Sequence, residues 1–251
     1  MLIEQVPVLT YSVQDAMAIA TPPILLGLLW AGIRRSGAEA AGRWKRGLAT
    51  FFIIHSLLAV VPGLQGFYGR APIAGTVYIG VVIAAVLIIA TATAGRNAAF
   101  RNIWLNTSHS WLVLAHALRI VPGLVFLSTY EMGLVPGVNA IPAGYGDIMV
   151  GALAIPVGLA LRSPGRSALA WARRWNWLGL LDLVWAVGSG MILIPARGLE
   201  VAEQWGAADH LNHLYVLPSL PVVLWVAMHL LFIWSLKAER FAEATGAAVG
   251  A

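Results

Sequence analysis

The chain has 251 residues, of which 59% are hydrophobic and 11% charged, with a mean hydropathy of +0.79. That balance excludes a water-soluble globule and leaves no room for a sizeable soluble domain, because lipid is the solvent such a composition suits. A net charge of +5 does not mark a nucleic-acid binder, since the basic residues fall between apolar runs, and the absence of cysteine excludes disulfides, iron–sulfur clusters and thiolate metal sites.

A bilayer crossing needs about 20 mainly apolar residues, each rising about 1.5 Å. The first 18 residues carry Glu4 and Asp15 but no Lys or Arg. They lack the charged start of a signal peptide, so the first apolar segment is expected to stay in the mature protein. Seven apolar runs follow in order: Ala16–Ile33, Leu48–Leu64, Gly75–Thr93, Ile103–Leu127, Ile148–Leu161, Trp177–Ile194 and Val216–Leu236. Thr21-Pro22-Pro23 interrupts the first, and proline there frees a backbone acceptor that a neighbouring helix must satisfy. The expected fold is all-α, a polytopic transmembrane bundle of seven helices forming one integral membrane domain over residues 1–251.

Orientation is read from Lys and Arg, which short cytoplasmic loops retain. Arg34, Arg35, Arg43, Lys45 and Arg46 follow the first run, Arg96 and Arg101 the third, Arg162, Arg166, Arg173 and Arg174 the fifth, and Lys237 and Arg240 the last. Only Arg70 and Arg197 fall in the opposite loops, while Arg119 lies inside a run. The N-terminus is therefore expected outside and the C-terminus in the cytoplasm. Trp30, Trp44, Trp104, Trp175, Trp177 and Trp234 gather near the cytoplasmic boundary, where an amphipathic ring is comfortable. His55 before Val61-Pro62-Gly63-Leu64, His116 before Val121-Pro122-Gly123-Leu124, and Asp182 before Gly188-Ser189-Gly190 form a faint repeat, too weak to assign a transporter fold.

Ionisable groups at membrane depth are costly and call for an explanation. Asn106, His109, His116 and Arg119 fall at helical steps of three, seven and three, so the fourth run is expected to turn that stripe into the bundle. Counted from the cytoplasmic ends at about 1.5 Å per residue, His55, His109, Asp182 and His229 come out roughly 8 to 12 Å deep, with His116 higher and Arg119 at about 24 Å. Four helices could thus bring polar groups into one layer, although hydrogen-bonded helix packing would also account for them. Such a layer could pass protons or bind a small polar solute, because His titrates near neutral pH and Asp can hold it charged. It could equally hold a metal on His55, His109, Asp182 and His229, or use two histidines as axial ligands of haem. No spacing is diagnostic of any of these.

Gly179, Ala186, Ser189 and Gly190 in the sixth run, and Gly151, Ala154 and Gly158 in the fifth, offer small faces that more often serve close helix contact than a cofactor slot. Pro218, Pro221, Trp225 and His229 could line a cavity in the seventh run, or mark a tolerated bend. Between runs four and five, Tyr130, Glu131, Asn139, Tyr145 and Asp147 are expected over an outer vestibule, as a lid or an ordered cap. Arg119 and Asp147 are expected close together there, either as an ion pair or with Arg119 reaching water and Asp147 capping its own helix. His210 and His213 stand three apart in the last outer loop and could bind a surface metal, but no third ligand accompanies them.

Retinal is not expected, because Lys45 lies in a loop and Lys237 at a helix boundary, whereas a rhodopsin needs lysine inside the last helix. Val187 takes the place of the first glycine of a rhomboid G-x-S-G motif at Ser189, and neither a Walker loop nor an HExxH motif is present. The stretch His116–Gly158, above all Arg119-Ile120-Val121-Pro122-Gly123-Leu124-Val125-Phe126 and Pro142-Ala143-Gly144-Tyr145-Gly146-Asp147, resembles functionally uncharacterised bacterial multi-pass proteins over about a sixth of the chain. The resemblance implies a bacterial inner membrane and carries no substrate or catalytic residue. The leading expectation is an integral membrane protein that binds or moves a proton, ion or small solute through the His/Asp layer. The alternatives are a membrane oxidoreductase or electron-transfer subunit holding metal, haem or quinone, and an accessory subunit of a larger membrane complex.

Overall fold

In apolar surroundings a backbone can pair its own polar groups within one segment only as a helix, and every regular element of the computed structural model is helical among the residues it describes, 2–37, 41–65, 72–132, 137–197 and 221–236. In chain order these are α1 (Leu2–Arg35), α2 (Ala41–Leu64), α3 (Pro72–Arg96), α4 (Ala98–Asn106), α5 (His109–Ala115), a 3₁₀ turn (His116–Arg119), α6 (Ile120–Glu131), α7 (Gly137–Ala160), α8 (Arg166–Arg197) and α9 (Val223–Ser235). Among the described residues three stretches are long and apolar enough to cross a membrane: Gly42–Pro62, His109–Glu131 and Gly137–Ala160. A fourth joins them if Gly80–Thr93 and Ala98–Asn106, which meet at a bend of 97°, count as one span.

The expected run Ile103–Leu127 is divided, and side-chain chemistry shows why. Asn97 caps α4 by accepting the Phe100 N–H at 3.1 Å, and beyond its other end Thr107 is extended, its hydroxyl donating back to the Ile103 carbonyl at 2.9 Å. Short polar side chains that bond to nearby backbone compete with the helix ladder, and here they isolate a nine-residue helix between two breaks. The long apolar helical stretch therefore begins at His109. Arg119 lies ten residues into it, about 15 Å along, not the expected 24 Å. Similarly, α7 begins at Gly137 rather than near Ile148, so Asp147 sits midway along a 24-residue helix instead of at its start.

Glycine explains how α7 packs. Gly137, Gly144, Gly151 and Gly158 recur every seven residues, the period that keeps one face toward a neighbour. A Cβ on Gly144 would meet Leu127 at 2.8 Å, one on Gly151 would meet Ile120 at 2.8 Å, and one on Gly158 would meet Leu114 at 2.7 Å. Small residues let helix backbones approach this closely, and the falling partner numbers show that α7 runs antiparallel to α5 and α6. Ser110 reinforces the seam by donating to the Gly158 carbonyl at 2.6 Å.

The same direction reversal recurs twice more. Asn139 bonds Ser189 while Trp175 bonds the Val150 carbonyl, so α8 is antiparallel to α7. Arg173 bonds the Leu236 carbonyl and Asn176 that of His229, so α9 is antiparallel to α8. The resulting body encloses a mainly apolar core with a set of buried polar groups, and large apolar side chains also cover its outside. Arg119, His116, Thr129 and His229 are fully buried, whereas Val81, Ile88, Leu181 and Val184 are each more than 60% exposed.

Candidate functional site

The 3₁₀ turn organises the site. Pro122 has no N–H to offer the Leu118 carbonyl, and at this point the helix tightens. Side chains three apart eclipse one another in a 3₁₀ turn, so His116 and Arg119 project to the same side, into the bundle. Arg119 is then met from three helices. Its Nε donates to Asp147 Oδ1 of α7 at 2.7 Å, its Nη2 to Asp182 Oδ2 of α8, and its Nη1 lies 3.4 Å from His229 Nε2 of α9. The Trp225 ring covers the guanidinium at 5.6 Å.

The ion-pair alternative for Arg119 and Asp147 is thus the arrangement present, but not at an outer vestibule. Asp147 is buried, while Tyr130, Glu131 and Tyr145 are exposed. The separation follows from the early start of α7, whose small residues carry Asp147 against Arg119. Asp182 reaches Arg119 because position 146 is glycine: any Cβ there would overlap the Asp182 carboxylate.

Hydrogen-bond partners assign the imidazole protons. Asn176 Nδ2 donates to the His229 carbonyl at 3.1 Å, which orients the amide, so Asn176 Oδ1 accepts from His229 Nδ1 at 2.8 Å. His116 Nδ1 likewise donates to the Leu112 carbonyl at 2.9 Å. In their neutral forms both rings therefore carry a lone pair on Nε2. That of His229 faces Arg119, and that of His116 is buried without a partner among the described residues. The two rings lie 4.8 Å apart, with the Trp175 ring 4.9 Å from His116 and 5.2 Å from His229.

The expected layer is only partly assembled around this cluster. Asp182 and His229 join Arg119. His109 instead lies two turns before His116, its Nε2 3.1 Å from the Ser235 hydroxyl and its ring 5.6 Å from Phe232. His55 is buried on α2, with its ring stacked on Phe51. Among the described residues no group of three or more His, Cys, Asp or Glu stands together in a way that could hold a metal ion. Axial imidazoles of a haem face each other across a flat macrocycle, and the contact between His116 and His229 leaves no such gap. His210, His213, Pro218 and Lys237 lie outside the described residues.

Asn176 is absent from the sequence-based candidates, while Trp175 stood there only as a boundary ring and Gly146 only within the stretch Pro142–Asp147. Asn176 had a signal, because it precedes Gly179 by three, on the same side of α8. Gly179 is the small position that admits the His229 ring, whose Nε2 would come 2.6 Å from a Cβ there.

The structure holds two cavities, of which one reaches the cluster. One, of about 330 Å³, lies among α1 to α5 and α9 and is lined almost wholly by apolar groups such as Leu25, Phe52, Val86 and Met228. The other is a groove of about 570 Å³ between α7 and α8, with Tyr145, Gly146, Asp182 and Trp185 in its lining. It gives the cluster an opening to the outer surface.

The family model described as "Domain of unknown function (DUF8737)" matches residues 76–237, more than half of the chain and all of the cluster. No curated protein and no solved structure matches the chain.

Proposed function

We propose that this chain, which belongs to the DUF8737 family, is a multi-pass protein of a bacterial inner membrane that takes up and passes a proton through the Arg119 cluster. The observation that carries the reading is charge balance. One guanidinium lies between two carboxylates, and the two adjacent imidazoles each present a bare Nε2. With both carboxylates ionised and both imidazoles neutral, the cluster is one positive charge short. A buried, uncompensated charge is expensive, so the cluster favours holding one further positive charge, and a proton is the smallest carrier. Asp182 is the port, because it also lines the groove, and the imidazoles of His229 and His116 are successive acceptors beyond Arg119.

Seven crossings, with the N-terminus outside and the C-terminus inside, complete the proposal. They are supported by the alternation of basic loops and by the antiparallel order of α5 to α9. The apolar outer faces of α3 and α8 favour lipid contact. On that topology Arg119 and Asp147 stand near the bilayer midplane. The test is proton flux into liposomes containing the purified protein, driven by a potassium diffusion potential and read by a trapped pH dye. Flux above protein-free liposomes that is lost in Asp182→Asn supports the reading. No flux, or flux unchanged in that variant, overturns it. A Soret band or stoichiometric metal in the purified protein would turn the assignment to a redox subunit.

A further inference from the structure

We infer that the groove between α7 and α8 binds a lipophilic organic cation, with its charged head on Asp182 and its apolar body along the groove walls. The inference rests on the reading of the Arg119 cluster as a site short of one positive charge, and it names a ligand class that reading leaves open.

Four observations lead to it. The Asp182 side chain is 7% exposed and uses Oδ2 for Arg119, while among the described residues no hydrogen bond reaches its Oδ1, the oxygen lying against Gly146. The groove beside it holds about 570 Å³, the size of a small organic molecule rather than a bare ion. Its walls are side chains of Pro142, Ile148, Met149, Leu178 and Leu181, which offer carbon instead of the several oxygen or nitrogen ligands a metal ion requires. Tyr145 and Trp185 stand in the same lining, and aromatic rings attract organic cations through their faces.

Charge selects the sign of the ligand. Two carboxylates against one guanidinium repel an anion and favour a cation. Burial selects its body: Leu181 is 63% exposed and Trp185 49% exposed on the outer face, so the groove opens where the proposed bilayer lies and a membrane-dissolved molecule reaches it sideways. Gly146 is the positioning residue that keeps the Asp182 carboxylate at this opening, since any side chain there would displace it.

The probe is radiolabelled tetraphenylphosphonium, whose permanent charge separates its binding from proton uptake. Binding is measured by equilibrium dialysis on the full chain in phosphatidylcholine nanodiscs, with uncharged triphenylphosphine oxide as competitor. The expected result is saturable binding to one site, weakened at least tenfold by Asp182→Asn and also by Leu181→Trp, which fills the groove from an exposed position and leaves the ion cluster intact. The uncharged competitor should displace the probe at least tenfold less well than unlabelled tetraphenylphosphonium. Absence of saturable binding, equal binding by the wild type and Leu181→Trp, or equal competition by the uncharged compound would each overturn the inference. Proton flux in the same preparation separates the two readings. Asp182-dependent flux without cation binding removes the groove assignment alone, and binding without flux keeps the groove and removes proton transfer.

Discussion

Replacing Arg119 with glutamine should be the most damaging single change in the cluster, and the charges show by how much. Arg119 is fully buried and contacts both Asp147 and Asp182. Two unit charges about 4 Å apart attract by about 4 kcal/mol at an effective dielectric constant near 20, and breaking a buried pair costs about 3 to 5 kcal/mol once the stranded partner relaxes or takes up a proton. Arg119→Gln strands two carboxylates, so a loss of about 3 to 5 kcal/mol is expected. Asp147→Asn leaves one guanidinium facing one carboxylate, a balanced pair, and should cost about 1.5 to 3 kcal/mol, the value of a hydrogen bond to a charged group. The Arg119→Gln/Asp147→Asn double variant should be more stable than the sum of the two losses implies, by at least about 1 kcal/mol. Unfolding in dodecylmaltoside micelles titrated with sodium dodecyl sulfate, followed by circular dichroism, measures all four proteins. Additive effects within about 0.5 kcal/mol, or a cost for Asp147→Asn equal to that of Arg119→Gln, would refute the charge-balance reasoning.

Gly146→Ala should lower stability by about 1 to 3 kcal/mol through overpacking against the Asp182 carboxylate. The cost should shrink in an Asp182→Ala background, and an equal cost in both backgrounds would contradict the contact. Gly179→Ala should push the His229 ring away from Arg119 and cost about 1 to 3 kcal/mol for the same reason, so an unchanged unfolding midpoint would show that the ring is not held there. For topology, the natural absence of cysteine allows single-cysteine labelling without background. An impermeant maleimide on intact cells should modify Gly206→Cys and leave Ser36→Cys unlabelled, and labelling of Ser36→Cys would reverse the orientation.

Much of the fold's character was legible along the chain, because helix formation in apolar surroundings depends on local composition. The runs that became α2, α3 and α7 could be placed from hydropathy, although their ends could not. The interior face of the helix carrying His116 and Arg119 was also legible, since residues three apart share a side in any helical form. Even the heptad glycines of α7 stand openly in the sequence, where Gly151 and Gly158 could be read as a small face and Gly137 and Gly144 passed for loop residues.

The site itself required tertiary structure. Asn97 and Thr107 set the ends of α4 and so where the stretch carrying Arg119 begins, and Ser110 of that stretch bonds the Gly158 carbonyl of α7 and fixes how it seats. Asp182 belongs to the cluster because Gly146, on another helix and 36 positions earlier, leaves its carboxylate a passage. His109 and His229 look alike in sequence, yet one meets Ser235 and the other Arg119 and Asn176. Periodicity assigns a residue to a face of its own helix. Which groups meet across helices depends on helix ends, relative shifts and the side-chain volume between them, and those are settled only when the helices pack.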